Sequence, residues 1–437
     1  MPGDSSDDTT TSAQSKEATS TEDPAKTETP APKEMKAVVL TGFGGLKMVK
    51  IQTKPQPTAG EGQVLIRVKA CGVNFLDLVL RQGVIDNPPK TPVIMGYECA
   101  GVIEAIGEKV EGINVGDNVI ALSEGQCWAE FASVPVKYVY KMPEGMSFHD
   151  AAAIAMNYLT AYILLFDIGN LRAGQSVLAH GIAGGVGQAI IQLSKTVENV
   201  TLYGTASAHK HESLKDKVTH VYDHSLDYTQ EIRKISPEGV DIVMDCLCGD
   251  DTNKGISLLK PMGRYILFGT SSVVTGETKS FFSFAKSWWQ VDKISPLKLY
   301  DDNKFLAGFQ LRQLLFRDNQ HAYIQSQMEK LFKLYTDGVI KPVIDQVACF
   351  EDIAEAMQRL HDRKNIGKII LDPTVEPKGK SQAAEEVKAP SETSATTVAK
   401  SEEDTGAEPP DTGSDESKEA KPEEPAEKTE EAAENAE

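Results

Sequence analysis

The chain has 437 residues, of which 25% are charged and 40% hydrophobic, and a net charge of −19. That length implies two or three domains, and an acidic chain with no basic stripe excludes a nucleic-acid footprint. No apolar run reaches the roughly 18 residues of a membrane-crossing helix.

The charge is unevenly placed. Residues 1–34 carry −5 and residues 374–437 carry −12, so the middle is nearly neutral. Both ends are rich in Glu, Ser, Thr, Pro, Ala and Lys and lack aromatic residues. Such segments cannot bury enough apolar surface to offset chain entropy, and both are expected to be disordered acidic tails. The six cysteines, Cys71, Cys99, Cys127, Cys246, Cys248 and Cys349, have no secretory spacing, and the acidic start has no apolar signal segment. A cytoplasmic protein with reduced thiols is expected.

Order is expected from Met35. Met35–Leu40, Val64–Ala70, Gly101–Ile103, Gly116–Ile120 and Trp128–Phe131 read as short strands bounded by Gly and Pro. Phe148–Leu165 reads as one Ala-rich helix with Ser147 as its N-cap. Strands are then predicted at 176–180, 200–204, 219–222, 240–246 and 263–269, with helices between them, and Lys304–Leu311 as a further edge. That alternation predicts a parallel, doubly wound sheet of the Rossmann type. A helix near His321–Thr336, a segment at Ile340–Ile344, a helix at Phe350–His361 and a strand at Ile366–Leu371 follow. The predicted organisation is α/β: a split β-rich domain, 35–157 plus 313–373, around an inserted Rossmann domain, 158–312. A cleft between them would hold cofactor and substrate. Cys246 and Cys248 are placed at the end of a strand, on opposite faces, as packing residues.

The most informative stretch is Ser176–Leu193. A buried strand, the turn Gly181-Ile182-Ala183-Gly184-Gly185-Val186-Gly187 and a helix make a dinucleotide-binding fingerprint. Glycine lets backbone N–H groups approach a ligand, and the helix N-terminus offers partial positive charge to a pyrophosphate. An NAD site would carry an acid about 20 residues further on, for the ribose hydroxyl. Tyr203–Lys210 contains none; Ser207 and Lys210 suit a 2′-phosphate, so NADPH is the expected cofactor. The other reading of Lys210 is a solvated helix lysine. His180, beside the turn, is expected to be exposed, with a local role.

Cys71-Gly72-Val73-Asn74-Phe75-Leu76-Asp77, Gly96-Tyr97-Glu98-Cys99-Ala100-Gly101, Val115-Gly116-Asp117-Asn118-Val119 and Ala183-Gly184-Gly185-Val186-Gly187 resemble the medium-chain dehydrogenase/reductase superfamily, and within it the zinc-free quinone oxidoreductases. Val240–Gly249 and Ser283–Gln290 resemble its VAT-1 group, the VAT-1-like branch in particular. The resemblance covers about 35–372. It implies a GroES-like catalytic domain, a Rossmann domain, a homodimer, and NADPH-dependent reduction of quinones or conjugated carbonyls. Zinc-dependent members place Cys where Asn74 stands and His where Tyr97 stands, so no zinc is expected.

By the same resemblance Asn74 faces nicotinamide or substrate, and Tyr158 and Thr160 lie near the cofactor. His224 stands where a Tyr completes the phosphate contacts, and Asn365 and Lys368 contact ribose and phosphate. Tyr97 is the candidate proton donor, and Asp77 a structural hydrogen-bonding residue. Phe281–Phe284, Trp288 and Trp289, with Lys279, Lys286, Lys293 and Lys298 interleaved, read either as cleft wall or subunit interface, or as a peripheral patch for a vesicle or organelle membrane. The two functional expectations are an oxidoreductase and a non-catalytic, NADPH-binding, membrane-associated adaptor.

Overall fold

In the computed structural model the described residues are 33–274, 276, 291 and 294–377. Residues 1–32 and 378–437, which make up nearly all of both acidic tails, and the aromatic stretch from Phe281 to Trp289 lie outside them.

Alternating apolar residues and Gly- or Pro-marked turns build eight strands first: β1 (Glu34–Leu40), β2 (Val49–Pro55), β3 (Gln63–Val73), β4 (Val93–Ile94), β5 (Glu98–Ile106), β6 (Asn118–Leu122), β7 (Phe131–Pro135) and β8 (Val139–Lys141). One helix, α1 (Phe75–Gln82), interrupts them. Trp128 precedes β7 rather than lying in a strand; its indole is fully buried and its Nε1 donates to the Gly72 carbonyl at 3.1 Å.

The expected helix over Phe148–Leu165 is broken. Helix α2 (Phe148–Ala155), capped by Ser147 as expected, ends at Met156, and α3 (Asn157–Tyr162) runs on at a 42° bend into a π-helical turn, Ile163–Ile168. The cause is distant in sequence. The Met156 N–H donates to the Glu98 carboxylate at 2.8 Å instead of joining the helical ladder. No single described helix is long and apolar enough to cross a membrane.

The nucleotide-binding half follows the predicted alternation. Strands β9 (Ser176–Ala179), β10 (Thr201–Ala206), β11 (His220–Asp223), β12 (Val240–Asp245), β13 (Leu259–Leu267) and β14 (Phe305–Gly308) pair in the order β11-β10-β9-β12-β13-β14. Every pairing is parallel. The order reverses beside β9, which places a ligand crevice at the carboxyl ends of β9 and β12. Helix α4 (Gly185–Ser194) leaves β9 through the glycine turn.

After α5 (His321–Thr336) the chain returns to the first domain as β15 (Ile344–Ala348) and β16 (Lys368–Leu371). The segment Ile340–Ile344 leads into β15, whose pairing begins at Ile344. Strand β16 joins β3, giving a seven-stranded sheet in the order β15-β16-β3-β5-β6-β8 with β7 on β3. The returning segment is also stitched to the glycine turn: the Gly367 N–H donates to the Ala183 carbonyl at 2.9 Å. That bond fixes the Rossmann turn against the β-rich domain.

Candidate active site

A cleft of about 570 Å³ opens along the glycine turn between the two sheets. Of the residues expected at the site, Asn74, Thr160, Ala183, Gly184, Gly185, Val186, Gly187, Ser207, Lys210, His224, Asn365 and Lys368 all line it. Tyr97 does not: it is buried in the β-rich core, where burial pushes its phenol up. Tyr158 is also away from the cleft, its hydroxyl donating to the Lys341 carbonyl at 3.3 Å.

The turn fits a dinucleotide. No side chain caps the N-terminus of α4, and a helix start without such a cap can offer backbone N–H groups to a ligand. The glycines are needed where the chain is crowded: a Cβ on Gly185 would stand 2.0 Å from Asn157 Nδ2, and one on Gly187 2.2 Å from the Ile182 carbonyl oxygen. Gly181 enters the turn at φ 65°, which favours glycine.

Just past β10, the Ser207 hydroxyl lies 3.4 Å from His224 Nε2. Lys210 is buried and donates to the Asn365 carbonyl at 2.7 Å, and burial lowers its pKa. It is therefore not a solvated helix lysine but a cation held at the cleft wall. Two residues here escaped sequence reasoning. Arg363 lines the cleft from the returning segment and donates to the Ser271 carbonyl. Asp223 is an acid near the expected phosphate site; it does not line the cleft, and its oxygens take the N–H groups of Ala208 and Ser225. Both come close through a strand pairing or a chain return that no local motif announces.

At the other end three buried side chains form one cluster. The Lys368 ammonium donates to Glu98 Oε1 at 2.5 Å and to Asn74 Oδ1 at 2.6 Å, and Asn74 Nδ2 donates to the same Glu98 oxygen at 2.7 Å. Lys368 is thus at the cleft floor with its charge already compensated, rather than free for a phosphate. The donor set does not fit zinc, which takes about three His, Cys or carboxylate ligands. Glu98 is paired to an ammonium, and among the described residues no group of three His, Cys, Asp or Glu is placed to hold a metal. The apolar wall beside the cluster includes Phe75, Leu76, Val79, Ile85 and Leu311.

His180 is buried, not exposed. Its Nδ1 lies 3.0 Å from Asp245 Oδ1 and its Nε2 3.1 Å from the Tyr228 hydroxyl. Burial alone would raise the Asp245 pKa; the hydrogen bond and charge of His180, with donors Tyr265 and Leu247, outweigh it and hold the carboxyl at about 2. Strand β12 ends at Asp245, so Cys246 and Cys248 sit in the turn beyond it, with Cys248 at φ 69°. Cys246 lines the cleft, and burial pushes its thiol up to about 12, which leaves it a poor nucleophile.

Asp77 completes a capping box on α1, its Oδ2 accepting the Asn74 N–H at 2.8 Å. It is fully buried, and burial raises its pKa to about 8. The unfolded carboxyl ionises near pH 4 while the folded one stays protonated, so stability should fall as pH rises from about 4 to about 8, at up to about 1.4 kcal/mol per unit. Asp77→Asn keeps the acceptor and removes the titration. Melting temperatures measured across pH 5–8.5 should decline less steeply in the variant; parallel curves would show that Asp77 does not carry this dependence.

Residues 60–144 match the alcohol dehydrogenase GroES-like domain and residues 217–371 match the zinc-binding dehydrogenase family. The chain is 58% identical over 339 residues to the Homo sapiens synaptic vesicle membrane protein VAT-1 homolog-like, covering 78% of this chain and 81% of the relative. A crystal structure of that human protein aligns with a TM-score of 0.70 and 50% identity, over 79% of this chain and 99% of the other. Homo sapiens quinone oxidoreductase is 31% identical over 346 residues, 77% of this chain and 97% of the relative. A mycobacterial protein complexed with NADPH aligns with a TM-score of 0.68 and 27% identity, over 78% and 100% of the two chains.

Proposed function

The chain belongs to the medium-chain dehydrogenase/reductase family of oxidoreductases, in its VAT-1-like group, and from that premise we propose that it is a zinc-independent, NADPH-dependent reductase of quinones or α,β-unsaturated carbonyls. The observation that carries the proposal is one continuous cleft. The uncapped, glycine-lined N-terminus of α4, the Ser207–His224 and Lys210 wall, and the Asn74 cluster all open onto it. Bound NADPH would supply the transferable hydrogen and its electron pair. The glycine turn would hold the pyrophosphate. Ser207, Lys210 and His224, with Arg363 nearby, would hold the 2′-phosphate, and Asn365 the returning wall beside it. Thr160 and Asn74 would face the reacting end, and the apolar wall would exclude water from a conjugated acceptor. A small-molecule quinone or enone suits that wall because its carbonyl is one polar point on an apolar body.

A homodimer and a peripheral, cytoplasmic-side vesicle location belong to the same proposal. The edge strand β14 exposes Phe305 and Leu306, and the preceding helix, Pro296–Asp302, exposes Leu297 and Tyr300. Among the described residues no strand pairs with the outer side of β14, and such an apolar edge is a surface that a second copy can extend. Relatives named as synaptic vesicle membrane proteins support the location.

The test is cofactor preference with turnover. Lys210→Ala should weaken NADPH about tenfold or more, the loss of one charge-assisted hydrogen bond, and leave NADH within about a factor of two. Fluorescence titration reads both constants, and NADPH oxidation with a quinone and enone panel reads activity. Equal effects on both cofactors would remove Lys210 as the phosphate reader. Tight NADPH binding with no turnover on any acceptor would favour the adaptor instead.

A further inference from the structure

We propose that the buried Glu98–Lys368 ion pair is a positioning device that locks the Asn74 side-chain amide, leaving its second N–H as the donor to the acceptor's oxygen when negative charge develops there. This rests on the reading that the cleft reduces conjugated carbonyls.

An asparagine side chain is free to flip unless its two ends are told apart. Here they are told apart by opposite charges. Asn74 Oδ1 accepts from the Lys368 ammonium at 2.6 Å, and Nδ2 donates to the Glu98 carboxylate at 2.7 Å. The flipped amide would face its N–H₂ to an ammonium and its oxygen to a carboxylate, which is repulsive at both ends. The amide nitrogen has two hydrogens and Glu98 takes one. Asn74 lines the cleft with 8% of its surface exposed. Its backbone is held too, by Asp77 Oδ2 at 2.8 Å.

The clamp is itself rigid. Glu98 is fully buried, and its other oxygen accepts the Met156 N–H at the break between α2 and α3. Lys368 is 3% exposed and sits one residue past Gly367, which is bonded to the glycine turn. Room for the cluster comes from Gly72: a Cβ there would stand 2.0 Å from Glu98 Oε1 and 2.6 Å from Lys368 Cε. A donor fixed before the reaction needs no reorganisation when charge appears, which is the condition for effective oxyanion stabilisation.

The balance is simple. NADPH, when bound, would supply one hydrogen with two electrons to the acceptor carbon and would itself be oxidised. The acceptor's π pair moves onto its oxygen, and that oxygen takes its proton from water. Asn74 gives a hydrogen bond and keeps its proton.

The experiment is a mutant cycle with two readouts. Asn74→Ala should lower kcat about a hundredfold, the usual cost of one oxyanion donor. Lys368→Met should lower kcat at least tenfold with the NADPH dissociation constant within threefold. Because that variant strands a buried carboxylate, the Lys368→Met/Glu98→Gln double variant removes both charges together and is expected to show the same kcat loss. Adding either change to Asn74→Ala should cost nothing further, whereas a purely structural role would add. The second readout is the absorbance of 4-nitrophenol bound with NADP⁺. Wild type should hold it as phenolate below its solution pKa, and the Asn74 and ion-pair variants should lose that shift. Full additivity, or kcat within twofold of wild type in the folded ion-pair variants, overturns the proposal. If wild type reduces no quinone or enone, the functional reading falls, and the phenolate shift alone decides the positioning claim.

Discussion

Gly185→Val should weaken NADPH and NADH together, by about a hundredfold or more. The added Cβ would begin 2.0 Å from Asn157 Nδ2 and 2.8 Å from its Cγ, distances that atoms do not share, so the Asn157 side chain or the turn must shift, and the two further methyl groups of valine crowd the turn itself. Asn157 opens α3 and lines the same cleft, so a retreat by its side chain also intrudes on the space beside the turn. A displaced turn takes its N–H groups away from a pyrophosphate. Two charge-assisted hydrogen bonds at roughly 1.5–3 kcal/mol each correspond to a hundredfold or more in affinity. The effect is common to both cofactors because the pyrophosphate is common to both, which separates it from the Lys210→Ala result. Gly184→Ala is the matched control. Its Cβ meets only the Gly181 carbonyl at 3.3 Å, so a small adjustment accommodates it and affinity should change little. Titration of both folded variants checks this. Wild-type affinity in Gly185→Val would mean that the turn is not the cofactor cradle.

Trp128→Ala is expected to give the largest loss of stability. The indole is fully buried, and the backbone on either side is bonded to β1 and to Met95: the Val38 N–H donates to the Trp128 carbonyl, and the Trp128 N–H to the Met95 carbonyl. A Trp-to-Ala truncation in a core costs about 3–5 kcal/mol, and the Gly72 carbonyl also loses the donor it has at 3.1 Å. For a domain of this size the melting temperature should fall by about 10 °C. Trp128→Phe keeps most of the volume and loses only the donor, so it should lie between the two. A fall of less than about 2 °C in the alanine variant would show that the β-rich domain does not depend on this anchor. The same change should disturb the reacting end of the cleft, because Gly72 underlies the Glu98–Lys368 pair.

The sequence by itself determined the features that depend on near neighbours. The alternation of strands and helices from Ser176 onward specified a parallel sheet, and every pairing between β9 and β14 is parallel. The glycine turn was legible because strand, turn and helix N-terminus are contiguous, and backbone N–H groups need no partner from elsewhere. Ser147 as N-cap and the helix His321–Thr336 were legible for the same reason. Tertiary structure alone decided whatever depends on charges meeting across the chain. Glu98 breaks a helix 58 residues away and pairs with Lys368 270 residues away. His180 is buried because Asp245, 65 residues on, and Tyr228 take both of its ring nitrogens. Tyr97 sits beside Glu98 in sequence, yet it lies in the bend before β5 and packs into the core, while Glu98, the first residue of the strand, reaches the cluster. Local propensity is written in adjacent residues. The pairing that gives a buried ammonium, carboxylate or imidazole its role exists only after the strands have closed around it, because only then is water gone and each other's charge the remaining partner.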